Sequence, residues 1–131
     1  MLNLKKLIVI LMFMFPLLTA CGFPIEVKVT LTDFGIKSSL TTFRTGIQYH
    51  FVVTNEGTVD HEIMLMEPMQ GGEEELDEFA LAVIEEDMLT PGTTISFDYT
   101  FIEPAPTGNL EFACHVEGHY EAGMHLPITV K

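Results

Sequence analysis

Thr93-Thr94-Ile95-Ser96-Phe97-Asp98-Tyr99-Thr100-Phe101-Ile102 sets Ile95, Phe97, Tyr99 and Phe101 on one side of an extended chain and Thr94, Ser96, Asp98 and Thr100 on the other. A period of two is what a strand shows when one face meets a core and the other meets water. Upstream, Ile25, Val27, Val29 and Leu31 alternate with Glu26, Lys28, Thr30 and Thr32. Ile47, Tyr49, Phe51 and Val53 share a side, and Asn55-Glu56-Gly57 then supplies turn chemistry. Thr58 to Met66 and Asn109 to Cys114 follow the same logic, and Ile128 and Val130 close a last strand. Short strands separated by turns predict an all-β sandwich or barrel.

One segment departs from this pattern. After Gly71-Gly72, the apolar residues Leu76, Phe79, Ala80, Val83, Ile84 and Met88 recur at helical spacing until Thr90-Pro91-Gly92. Residues 73–89 are therefore expected to form one inserted amphipathic helix covering an edge or face of the sandwich. Glu73, Glu74 and Glu75 suit a helix N-terminus, whereas Glu85, Glu86 and Asp87 oppose the dipole at the other end.

At the N-terminus, Lys5 and Lys6 precede an apolar stretch from Leu7 to Leu18, broken by Pro16, which reads as a signal peptide over residues 1–20. The stretch is too short for a membrane span. Leu18-Thr19-Ala20-Cys21 resembles the lipobox of bacterial lipoproteins, which implies a lipid on Cys21, a short linker over 21–24 and an extracytoplasmic protein tethered to the cell membrane. The domain then runs over 25–131, about 110 residues, enough for one core and, on this reading, a monomer. Removal of Lys5 and Lys6 leaves four basic residues against nineteen acidic ones, a net charge of −15. Nucleic acid is excluded as a partner, and a basic redox protein fits.

With Cys21 carrying lipid, Cys114 is the one thiol left, so no disulfide within the domain is expected. Its surroundings explain a lone thiol outside the cell. Cys114-His115-Val116-Glu117-Gly118-His119-Tyr120-Glu121-Ala122-Gly123-Met124 spaces a thiolate, an imidazole and a thioether at five-residue intervals. A soft anionic sulfur, a borderline nitrogen and a weak axial sulfur suit an ion cycling between Cu(I) and Cu(II), and such sites take two His, one Cys and a distant Met. The second imidazole is assigned to His61, at the start of an apolar run after the Asn55-Glu56-Gly57 turn. His61 shares strand parity with Ile63 and Leu65, and Cys114 with Leu110 and Phe112, so both are expected to point inward. Gly118 and Gly123 free the loop to turn tightly. Zinc could take Cys114, His61 and His119, but Met124 favours copper.

These motifs resemble the cupredoxins, the type 1 or blue copper proteins of the plastocyanin and azurin kind, and in particular a bacterial rusticyanin- and sulfocyanin-like branch, over residues 25–131. The resemblance implies a Greek-key β-sandwich and one copper ion held by His61, Cys114, His119 and Met124. It also implies that Cys114 is the main electronic path and that His119 is an electron port. In plastocyanins and azurins an Asn commonly follows the first His and bonds toward the thiolate loop; here Glu62 stands there.

Other residues have plainer readings. His50, His115 and His125 are expected as surface groups or neighbours of the ligands, and Met64, Met66, Met69 and Met88 as packing. The acidic run Glu73 to Glu78 lacks the spaced oxygen-ligand loop of a calcium site. A copper enzyme would need further ligands or domains, so the protein reads as an electron carrier and not a catalyst. The alternative is a copper chaperone or copper store.

Overall fold

The computed structural model describes residues 22–69, 80–83 and 88–131, and the described part is all β. Its strands are β1 (Ile25–Thr32), β2 (Gly35–Ser38), β3 (Thr42–Phe43), β4 (Gln48–Asn55), β5 (Met64–Met66), β6 (Ala80–Val83), β7 (Thr94–Thr100), β8 (Ala105–Ala113) and β9 (His125–Val130). They form two mixed sheets, one ordered β2-β1-β4-β7 and the other β3-β9-β8-β5-β6. β1 and β4 run parallel, as do β3 and β9, while the remaining pairs are antiparallel. Parallel neighbours cannot be joined by a tight hairpin, so the chain must cross between sheets. That crossing brings residues distant in sequence to one end of the sandwich.

The alternating segments do what their pattern predicts. Val27, Val29 and Leu31 of β1, and Tyr49, Phe51 and Val53 of β4, are buried. β7 lies at a sheet edge: Thr94, Ser96, Asp98 and Thr100 are exposed, while Ile95, Phe97 and Tyr99 are half-buried against the core. At the centre sits Phe43, from the two-residue strand β3. Its ring meets Tyr49 edge-on at 5.0 Å and 89°, and lies 4.9 Å from Phe101, 5.8 Å from Phe51 and 6.1 Å from Phe112. Such edge and tilted contacts between large rings add to the area they bury.

The helix expected over 73–89 is not what forms where the chain is described. Ala80–Val83 is a strand, antiparallel to β5 with Met64 opposite Val83 and Leu65 opposite Ala82. Leu89 bridges to His61, and Met88, expected on the apolar stripe, is exposed. Helical and strand periods coincide over so short an apolar run, and the unpaired edge of β5 offers a ladder that an isolated helix would forgo. Residues 73–79 and 84–87 lie outside the described residues. So do residues 1–20, expected to be a signal peptide, and Cys21.

Candidate metal centre

Cys114 follows the last residue of β8, and residues 114–124 form the return to β9. Backbone bonds shape this return: His119 N–H to Val116 O (2.9 Å), Gly123 N–H to Tyr120 O (2.9 Å), Met124 N–H to His119 O (3.0 Å) and Cys114 N–H to Met124 O (3.0 Å). Gly118 and Gly123 have φ of 79° and 97°, a region in which a Cβ is strained. Two ligand candidates are thereby folded back toward Cys114.

His61 arrives from the other side. Asn55, fully buried at the end of β4, accepts the Gly57 N–H (2.8 Å) and donates to Val59 O (2.8 Å) and Leu89 O (2.7 Å). Leu89 in turn exchanges two backbone bonds with His61, at 3.0 and 2.8 Å. Burial of a carboxamide with both ends satisfied fixes the loop that delivers the imidazole.

His61 Nδ1 lies 3.2 Å from His119 Nδ1 and 3.8 Å from Cys114 Sγ, and Cys114 Sγ lies 3.4 Å from His119 Nδ1. Among the described residues this trio is the cluster whose donor atoms could share one ion. The point equidistant from all three is about 2.0 Å from each, close to ordinary metal–nitrogen lengths of about 2.0–2.1 Å and somewhat short of the metal–sulfur length of about 2.3 Å. Met124 is buried in the same core as Cys114. The donor set of two imidazole nitrogens, one thiol and one thioether suits a type 1 copper ion.

Burial pushes the Cys114 thiol up, partly offset by the backbone N–H groups of Glu62 (3.5 Å from Sγ) and Val116, which point at the sulfur and favour its thiolate. Burial, and then the neighbouring His119, pull His61 down and keep it neutral, the form that ligates. A cation placed among them offsets the cost of a buried thiolate.

Glu62, standing where the resemblance leads one to expect Asn, keeps its backbone bond to the sulfur. Its carboxylate lies 3.5 Å from His115 Nδ1, so a Glu–His pair links the His61 and Cys114 loops. His50 is paired with Asp98 (2.7 Å) and His125 with Glu111 (3.1 Å), each away from the trio.

Two groups escaped sequence reading. Glu111 has the strand parity opposite to Leu110 and Phe112 and reads as a solvent residue, yet it is buried. It accepts hydrogen bonds from the Tyr120 hydroxyl and from His125, whose ring stacks on Tyr120 at 4.7 Å. Tyr120 also receives the Met69 N–H (3.1 Å), beside a small outer core of Met64, Met66 and Ala113. Burial and the Glu111 carboxylate push the Tyr120 hydroxyl up to about 12. The other is Asp33, in the turn between β1 and β2, whose Oδ1 lies 3.5 Å from His61 Nε2. No local pattern announces either contact.

Two facing sheets with these candidate ligands gathered together give the described residues the cupredoxin fold. Solved structures of similar fold include a dithionite-reduced auracyanin from the photosynthetic bacterium Roseiflexus castenholzii (20% identity, TM-score 0.60, 84% of this chain and 99% of that one). Auracyanin B (18%, 0.60, 84% and 91%) is another, and so is auracyanin A, a "blue" copper protein from Chloroflexus aurantiacus (19%, 0.56, 82% and 99%). No protein-family model and no curated protein sequence matches the chain.

Proposed function

We propose that this protein binds one copper ion through His61, Cys114, His119 and Met124 and carries single electrons between extracytoplasmic redox partners. The observation that supports this most is the triangle of His61 Nδ1, His119 Nδ1 and Cys114 Sγ, in which His61 and Cys114 are buried and His119 is half-buried. Copper bound there supplies a one-electron couple. The chain's contribution is to hold the donors nearly fixed: His61 through Asn55 and Leu89, Cys114 through β8, His119 and Met124 through the glycine-shaped return. Little movement is then needed when the charge at the centre changes. The auracyanin likeness is of fold, and auracyanin A, a "blue" copper protein, accords with this reading.

Burial of His61, Cys114 and Met124 favours a carrier over a copper chaperone or store, the second reading. A chaperone presents exchangeable sulfur at its surface, whereas Cys114 and Met124 here are inside, and Met64 and Met66 are packed. Signal cleavage before Cys21, lipidation there and membrane tethering complete the proposal, with the acidic domain acting as a monomer on a basic partner. The test is to reduce the copper-loaded protein in the presence of a Cu(I) chelator and then reoxidise it. A carrier retains its copper and recovers its spectrum, and its electron exchange with a basic cytochrome slows as salt is raised. Prompt surrender of Cu(I) to the chelator favours the chaperone.

A further inference from the structure

His61 is fully buried, and its two ring nitrogens face different neighbours. Nδ1 looks toward Cys114 and His119, while Nε2 is a buried polar atom with no hydrogen-bond partner in ordinary geometry. A neutral imidazole that gives Nδ1 to a metal must carry its proton on Nε2, and a buried N–H without an acceptor is destabilising. The nearest carboxylate oxygen is Asp33 Oδ1 at 3.5 Å, a few tenths of an ångström beyond hydrogen-bond length. Asp33 is itself aimed: Oδ1 accepts the Thr58 N–H (2.6 Å) and Oδ2 the Thr58 hydroxyl (2.8 Å). Gly57 makes the approach possible, because a Cβ there would stand 2.4 Å from Asp33 Oδ1 and 2.7 Å from His61 Nε2.

We propose that Asp33 is the positioning carboxylate of the metal centre: it accepts the Nε2–H of His61, fixes the tautomer that presents Nδ1 to the ion, and biases the ion toward its oxidised state. This rests on the copper reading above. A carboxylate behind a ligating imidazole raises the basicity of that ligand, and losing such a partner lowers metal affinity by about 10–100-fold. The added negative charge favours the more highly charged ion, so the effect falls more on Cu(II) than on Cu(I). Asp33 comes from the β1–β2 turn, a part of the chain that supplies no ligand.

The test uses the full chain in two metal forms. Nitrogen NMR of the zinc-loaded chain reads His61 directly: a protonated Nε2, with exchange at least about tenfold slower than in Asp33→Ala, is expected. In the copper-loaded chain, Asp33→Asn is expected to lower the Cu(II)-to-Cu(I) affinity ratio about tenfold, a rise in potential of about 59 mV for one electron. Thr58→Val, which removes the hydroxyl bond and leaves the carboxylate, should move the potential far less. An unmoved potential in Asp33→Asn, or Nε2–H exchange indifferent to Asp33→Ala, overturns the proposal. A colourless copper protein overturns the carrier reading alone, because the zinc form still reports the His61–Asp33 bond.

Discussion

Replacing Gly57 with alanine presses on the one place where the turn between β1 and β2, the Asn55 loop and His61 meet. The new methyl would stand 2.4 Å from Asp33 Oδ1, 2.7 Å from His61 Nε2 and 3.1 Å from Asn55 Oδ1. Ordinary contact begins near 3.5 Å, so the carboxylate has to retreat by about 1 Å and the imidazole by almost as much. Neither is loose: Asp33 is held by two bonds from Thr58, and His61 is fully buried with its backbone paired to Leu89. Overpacking of this kind costs about 1–3 kcal/mol, and alanine recovers about 0.4–1 kcal/mol by stiffening the unfolded chain. Losing the charged Asp33–Thr58 bonds adds to the first figure, so a net loss of about 2 kcal/mol is expected. For a domain of this size that lowers Tm by roughly 10 °C. Thermal and urea unfolding of the metal-free protein, followed by circular dichroism, measures it. Gly35→Ala is the control, since a Cβ there meets nothing within 4 Å. A Gly57→Ala protein as stable as Gly35→Ala would refute the crowding on which the Asp33 assignment partly stands.

Met124→Leu is expected to keep the intense visible band, because the thiolate and both imidazoles remain, and to raise the potential by about 59 mV for each tenfold loss of preference for the oxidised ion; loss of copper altogether contradicts a weak axial role. Tyr120→Phe removes the hydroxyl that serves Glu111 and Met69 and is expected to lower stability by about 1–2 kcal/mol near neutral pH. Because the folded Tyr120 hydroxyl is raised to about 12, that contribution is fully present below about pH 10, the ordinary tyrosine value, and is lost as pH rises through about 12. Denaturant midpoints of the two proteins should therefore converge between those values, and a gap independent of pH would count against the Tyr120–Glu111 bond.

The sandwich was legible where strands are wet on one face. β1, β4 and β7 print their burial as alternation, and the donor spacing from Cys114 to Met124 is local enough to read directly. The strand expected over Thr58 to Met66 is only Met64–Met66, β5, and it is buried on both sides, so the alternation expected there does not hold. Its neighbour β6 lies in a segment where Ala80, Val83 and Ile84 satisfy a helical period as well as an extended run, so the pattern alone does not separate the two. Phe43, the hub of the aromatic core, belongs to a two-residue strand too short to show any period. Asp33 and Glu111 were illegible for a different reason. Asp33 reaches a histidine 28 positions away through a turn, and Glu111 is covered only when Tyr120 folds over it. A residue whose role is fixed by tertiary contact leaves no trace in local spacing.

The most direct measurement is the optical and electron-paramagnetic spectrum of the copper-loaded, oxidised protein beside its Cys114→Ser counterpart. One tightly held copper with an intense visible thiolate-to-copper band, absent in Cys114→Ser, is the predicted result. A colourless protein that binds one copper equally well with and without the Cys114 sulfur would contradict the account.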